Sequence, residues 1–75
     1  MKTKHYILKI KDIGYVSSTF GTSHEIDEKF NSFHIYYNND AISRFYYKSI
    51  DIQVNYVNIE VDVVETYTIT IELDN

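Results

Sequence analysis

Apolar and polar residues alternate over the last third of the chain. The apolar set runs Ile50, Ile52, Val54 and Tyr56, then Val57, Ile59, Val61 and Val63, then Tyr67, Ile69, Ile71 and Leu73. A period of two marks half-buried strands, because successive side chains point to opposite faces. The phase slips at Tyr56–Val57 and again near Val64–Glu65. Each slip predicts a turn or bulge, since otherwise every later side chain would change face. With a turn at residues 64–66, Glu60 would pair near Thr70, Asp62 near Thr68 and Asn58 near Glu72, and no acid would face an acid.

The same period appears near the start, where Tyr6, Leu8 and Ile10 oppose His5, Ile7 and Lys9. Outward Lys residues suit an edge strand, which they protect from pairing with other chains. Asp12-Ile13-Gly14 reads as a turn, and residues 15–20 as the returning strand of a hairpin. The pattern then changes. Thr22-Ser23-His24-Glu25 has the form of a capping box, acids follow in the first turn, and Ile26, Phe30 and Phe33 make a stripe at helical spacing. This predicts a helix over about 23–33. Between Phe33 and Lys48, Asn38-Asn39-Asp40 signals a turn. Two readings fit the flanks: a β-hairpin, favoured by the Tyr and Phe content, or a second helix starting at Asn39 or Asp40 with Ile42, Phe45 and Tyr46 inward. The hairpin is the reading adopted. The expected architecture is α+β: one domain over residues 1–75, a small antiparallel sheet with one helix packed on its apolar face.

Composition adds limits. Seventy-five residues with 44% hydrophobic content suffice for one small core and argue against disorder throughout. With no Cys there is neither a disulfide nor a Cys-based zinc site, which agrees with a reducing, cytoplasmic setting. No apolar run reaches membrane-spanning length, and Lys9 and Lys11 interrupt what would be a signal-peptide core. The chain is therefore expected to be complete, soluble and cytoplasmic. Charge is segregated: four Lys and no acid in residues 1–11, five acids and three basic residues in 12–48, six acids and no basic residue in 49–75. A pI near 5.1 disfavours direct nucleic-acid binding. Eight Tyr, eleven Ile and six Asn, without Cys, Pro or Trp, give the chain a style similar to small accessory proteins of low-GC bacteria and their phages.

Catalytic signals are weak. No Gly-rich nucleophile turn is present, and Gly21-Thr22-Ser23 is followed by acids that would repel a phosphate. His24 and Glu28 are too few to hold a metal, and Glu60 with Asp62 lacks a cleft for acid–base work. No cofactor, metal or catalytic residue is assigned, and an enzyme is not expected. Two features point to partner binding instead. Glu60, Asp62, Glu72 and Asp74 would share one sheet face at ~7 Å spacing, comparable to a phosphate repeat and complementary to a basic surface on a host protein. Tyr36-Tyr37 and Tyr46-Tyr47 would each turn one ring outward, with Tyr36 and Tyr47 as the partner-binding anchors. The expectation is a non-catalytic protein-binding module: an inhibitor of a nucleic-acid-handling or defence enzyme, such as a CRISPR or restriction effector, acting as a nucleic-acid mimic. The alternative is a self-assembling β-rich protein in which Tyr67–Ile71 pairs at a sheet edge with another copy.

Overall fold

A computed structural model describes residues 3–59 and 62–73, with side chains described outside 57–63. Six strands follow one another: β1 (Lys4–Ile10), β2 (Tyr15–Gly21), β3 (Ser23–Asp27), β4 (Ser32–Tyr37), β5 (Asp40–Ile59) and β6 (Asp62–Leu73), with one 3-10 turn at Lys11–Ile13. They form a single sheet in the order β2-β1-β6-β5-β4-β3, antiparallel throughout except for β1 beside β6. The two ends of that order, β2 and β3, are joined in the chain by Thr22 alone. A flat sheet would hold them five strands apart, so the sheet has to curl over on itself.

β5 makes the curl possible. Its first part, Asp40–Tyr46, pairs with β4, and its remainder, Tyr47–Ile59, pairs with β6. The register shifts once against each partner, leaving Ile42 and Lys48 without opposite residues. Such bulges bend a strand and raise its twist. The one at Lys48 also exchanges the faces, so that Tyr47 and then Ile50 and Ile52 all point inward. The core thereby gathers Tyr6, Leu8 and Ile10 from β1, Phe33 and Ile35 from β4, Tyr47 from β5, and Ile69 and Ile71 from β6. At the corner, Gly21 is required by close approach: a Cβ there would lie 2.8 Å from both Ile35 Cγ2 and the Tyr36 carbonyl oxygen.

The helix expected over 23–33 is absent; those residues form the β3–β4 hairpin. The architecture is nearly all β, and the α+β expectation is corrected accordingly. The reason lies in the spacing itself. Ile26 and Phe33, seven apart, would stack on a helix, but they are equally placed to pair across a short loop, and they do so directly. Thr22, read as the helix cap, uses its hydroxyl oxygen to accept from the Asn38 N–H at 2.7 Å. Once β5 offered a pairing edge and a core for Phe33 and Ile35, the backbone groups of 32–37 were better satisfied in a ladder.

Three further expectations change. β1 is interior, between β2 and β6, rather than an edge. β6 is interior too, so Tyr67–Ile71 is not available for edge pairing. The last hairpin reverses between Ile59 and Asp62, and Thr70, Thr68 and Glu72 pair with Asp51, Gln53 and Ser49. No register shift marks Tyr56–Val57 or Val64–Glu65. There β5 and β6 run past the last β1 pair, His5 with Thr66, as a two-stranded ribbon that elongates the molecule to 43 × 26 × 16 Å. Tyr56 there is 68% exposed, so burial does not hold its alternation in phase. The strand reading of 33–48 agrees with β4 and β5, and Asn38 takes the left-handed conformation at the turn, with φ 57°.

Candidate binding surfaces and a buried polar cluster

Period two on β1 and β6 brings Tyr6 beside Tyr67 in the parallel pair, and their rings stack at 5.2 Å. His24, carried in by β3, closes over both, with its ring 4.8 Å from Tyr67 and 5.6 Å from Tyr6. Its Nδ1 and the Tyr6 hydroxyl share a 3.0 Å hydrogen bond. The Tyr67 hydroxyl donates to Glu65 at 2.7 Å, and Lys4 stands 3.9 Å from the same carboxylate oxygen. Burial, then the Lys4 charge, pushes the His24 pKa down. Burial and the neighbouring Tyr67 push Tyr6 up to about 12, while the hydrogen bond to Glu65, then burial, pushes Tyr67 up to about 12. The Tyr6 and Tyr67 hydroxyls, His24 Nδ1 and the Glu65 carboxylate each find a partner inside the cluster. It closes one end of the core, and the sequence conceals it because the capping-box form of Thr22–Glu25 points His24 to a helix.

A second histidine has the geometry of a catalytic pair. Ser32 Oγ lies 3.0 Å from His34 Nε2, the separation at which a base activates a hydroxyl. Ser32 is only 3% exposed, so that oxygen sits beneath the surface and out of reach of a substrate. The pair braces β4. Among the described residues no group of three or more His, Asp or Glu side chains is placed to hold a metal.

The acidic face expected from sequence rests mostly on residues outside those described. Glu60 and Asp74 lie outside them, as does the Asp62 side chain. Asp62 opens β6 and Glu72 nearly closes it; ten residues of extended strand separate them by about 33 Å. Glu72 is half-buried and accepts from Ser49 at 3.5 Å. In the adjoining row, Lys9, Thr70 and Asp51 stand side by side across three strands, so both charge signs occur there. Three more carboxylates hold local structure: Asp12 accepts from the Leu73 N–H, Asp27 from the Lys29 N–H, and Glu65 from Tyr67.

The two anchor tyrosines separate. Tyr47 is 7% exposed and belongs to the core, against the expectation that it faces outward. The Lys48 bulge explains this: inward parity runs Phe45 and Tyr47, then Ile50 and Ile52. That change from odd to even is visible in the sequence and is the signal that would have placed Tyr47 inside. Tyr36 is half-buried on the outer face of β4, stacked on His34 at 6.1 Å. On β5, Tyr46 faces out opposite Ser32, and Arg44 opposite His34. This face joins Tyr36, His34, Arg44 and Tyr46. No protein-family model matches the chain, and neither the characterised proteins nor the solved structures searched contain a match. Among the described residues no helix is long and apolar enough to cross a membrane.

Proposed function

We propose that this protein is a non-catalytic protein-binding module, with the outer face of β4 and β5 as its contact surface. One observation carries the reading. Among the described residues eleven large apolar side chains are exposed, Tyr46 at 55% among them, against eight in the core and five more packed half-buried on it. Single exposed apolar residues are ordinary, but eleven around a core of this size present area for a partner to cover. Tyr and Arg side by side favour such contacts, since both bring large area and fixed geometry. The partner is a protein, and recognition depends on Tyr46 and Tyr36 more than on the acids.

The test uses immobilised wild-type protein and Tyr46→Ser, washed at low and high salt, with thermal melts showing that the variant stays folded. A partner held by wild type at high salt and lost from Tyr46→Ser is the expected result. Identical partners on both proteins would reject this surface. A partner lost from both at high salt and untouched by Tyr46→Ser would return the acid-mimicry reading, to be pursued through Glu60, Asp62, Glu72 and Asp74.

A further inference from the structure

β2 is the one long strand end of the sheet that carries no charge. Its sequence, Tyr15-Val16-Ser17-Ser18-Thr19-Phe20-Gly21, contains no Lys, Arg, Asp, Glu or Pro, and it occupies one end of the strand order. The other end, β3, carries Glu25 and Asp27. Exposed edges are ordinarily guarded by charges, prolines or bulges, because their free N–H and C=O groups template pairing with another strand. β3 is guarded in this way and β2 is not. Beyond the corner bond from the Thr22 N–H to the Tyr36 carbonyl, β2 pairs only with β1 among the described residues.

From this edge we infer that two copies of the protein pair through β2, antiparallel, about a twofold axis at Ser18. The occupant must be an extended strand, since what the edge lacks is a ladder partner. The order of side chains makes a second copy fit. In a register centred on Ser18, Val16 lies opposite Phe20 of the other copy and Phe20 opposite its Val16, on the outer face. Val16 and Phe20 are 63% and 57% exposed in the single chain. Aromatic and β-branched residues directly opposite one another are among the favourable cross-strand pairs. On the other face Ser17 and Thr19 meet, two hydroxyl side chains able to hydrogen-bond. Shifting the centre to Ser17 or Thr19 sets Val16 or Phe20 against Ser18 and loses the match. His5, stacked on Phe20 at 5.0 Å, already fixes that ring over β1. Each copy carries net charge −4, yet none of it lies on β2, so repulsion is long-range and screened by salt. Pairing therefore strengthens as salt rises.

This inference goes beyond the partner-binding face and does not use Tyr46. The experiment is sedimentation or light scattering of the full chain over a wide concentration range, together with Ser18→Lys and Ser18→Glu. Ser18 is exposed, so both variants retain the monomer fold, checked by circular dichroism. Wild type is expected to move from 8.9 kDa toward twice that mass with concentration, and further with salt. Each variant alone should stay monomeric, because like charges face each other at the axis, and an equimolar mixture of the two should regain the doubled mass. Amide exchange in residues 16–20 of wild type should slow as concentration rises. A mass of 8.9 kDa at every concentration, a dimer indifferent to both variants, or exchange in β2 independent of concentration would each overturn the inference.

Discussion

The Tyr6 hydroxyl and His24 Nδ1 stand 3.0 Å apart and tie the first strand to the third across the core. They are eighteen residues apart in sequence, and the bond exists only because the sheet curls. Around His24 stand Tyr6, Tyr67, Phe33, Lys4 and Glu65, and the balance of burial and Lys4 holds its pKa below the ordinary 6.5.

That arrangement has a pH consequence. With the folded pKa depressed, the unfolded chain takes up a proton first as pH falls below 6.5. Stability is therefore fully present above that value and declines below it, down to the folded pKa. Urea midpoints measured from pH 7.5 to 5.5 should fall for wild type and fall less steeply for His24→Phe. Tyr6→Phe should cost about 1 kcal/mol by removing the hydrogen bond.

The two shifted tyrosines respond at the opposite end of the scale. Tyr6 and Tyr67 should ionise near 12, after the unfolded-chain value of 10.0, so their contribution is present below pH 10 and lost above it. Glu65→Gln removes the main cause at Tyr67. Ultraviolet titration should then show one phenol ionising earlier, with Tyr6 less affected.

The two glycines should behave differently in thermal melts. Gly14 has φ 64° and open space around its Cα, so Gly14→Asn should be tolerated, because Asn enters the left-handed region readily. Gly21→Ala drives a Cβ into Ile35 and the Tyr36 backbone and should cost roughly 1–3 kcal/mol.

Core and surface should separate by size of effect. Ile69 is fully buried between Leu8 on β1 and Ile52 on β5, so Ile69→Ala should cost about 2–5 kcal/mol. A chain of this length has only about 4–11 kcal/mol in total. Tyr46→Ser, outside the core, should change stability by less than about 1 kcal/mol, leaving any loss of partner binding attributable to the surface.

Much of the strand content was legible locally. Tyr6, Leu8 and Ile10 against His5 and Lys9, and Tyr67, Ile69 and Ile71 against Thr68 and Thr70, show their faces by alternation alone. Asp12-Ile13-Gly14 and Asn38-Asn39 likewise declare their turns, through residues that accept left-handed backbone. The site was less legible: Tyr47 turns inward through the Lys48 bulge, whose mark in the sequence is the change of inward parity from Phe45 and Tyr47 to Ile50 and Ile52, while on β4 Tyr37 is exposed and Tyr36 half-buried.

By itself, then, the sequence determined the strands whose two faces differ in polarity, the turns between them, and a charge gradient from basic start to acidic end. Tertiary structure decided the rest. Ile26 and Phe33 satisfy a helical stripe or a cross-strand pair equally well, since both bring residues seven apart into contact, and Phe30 is left exposed in the loop between them. The choice fell to β5, which supplied β4 with a ladder and supplied Phe33 and Ile35 with Tyr47 as a core neighbour. Strand order was decided in the same way: β1 finds β6 across some sixty residues because each has one apolar face to bury, and burial has no memory of sequence distance.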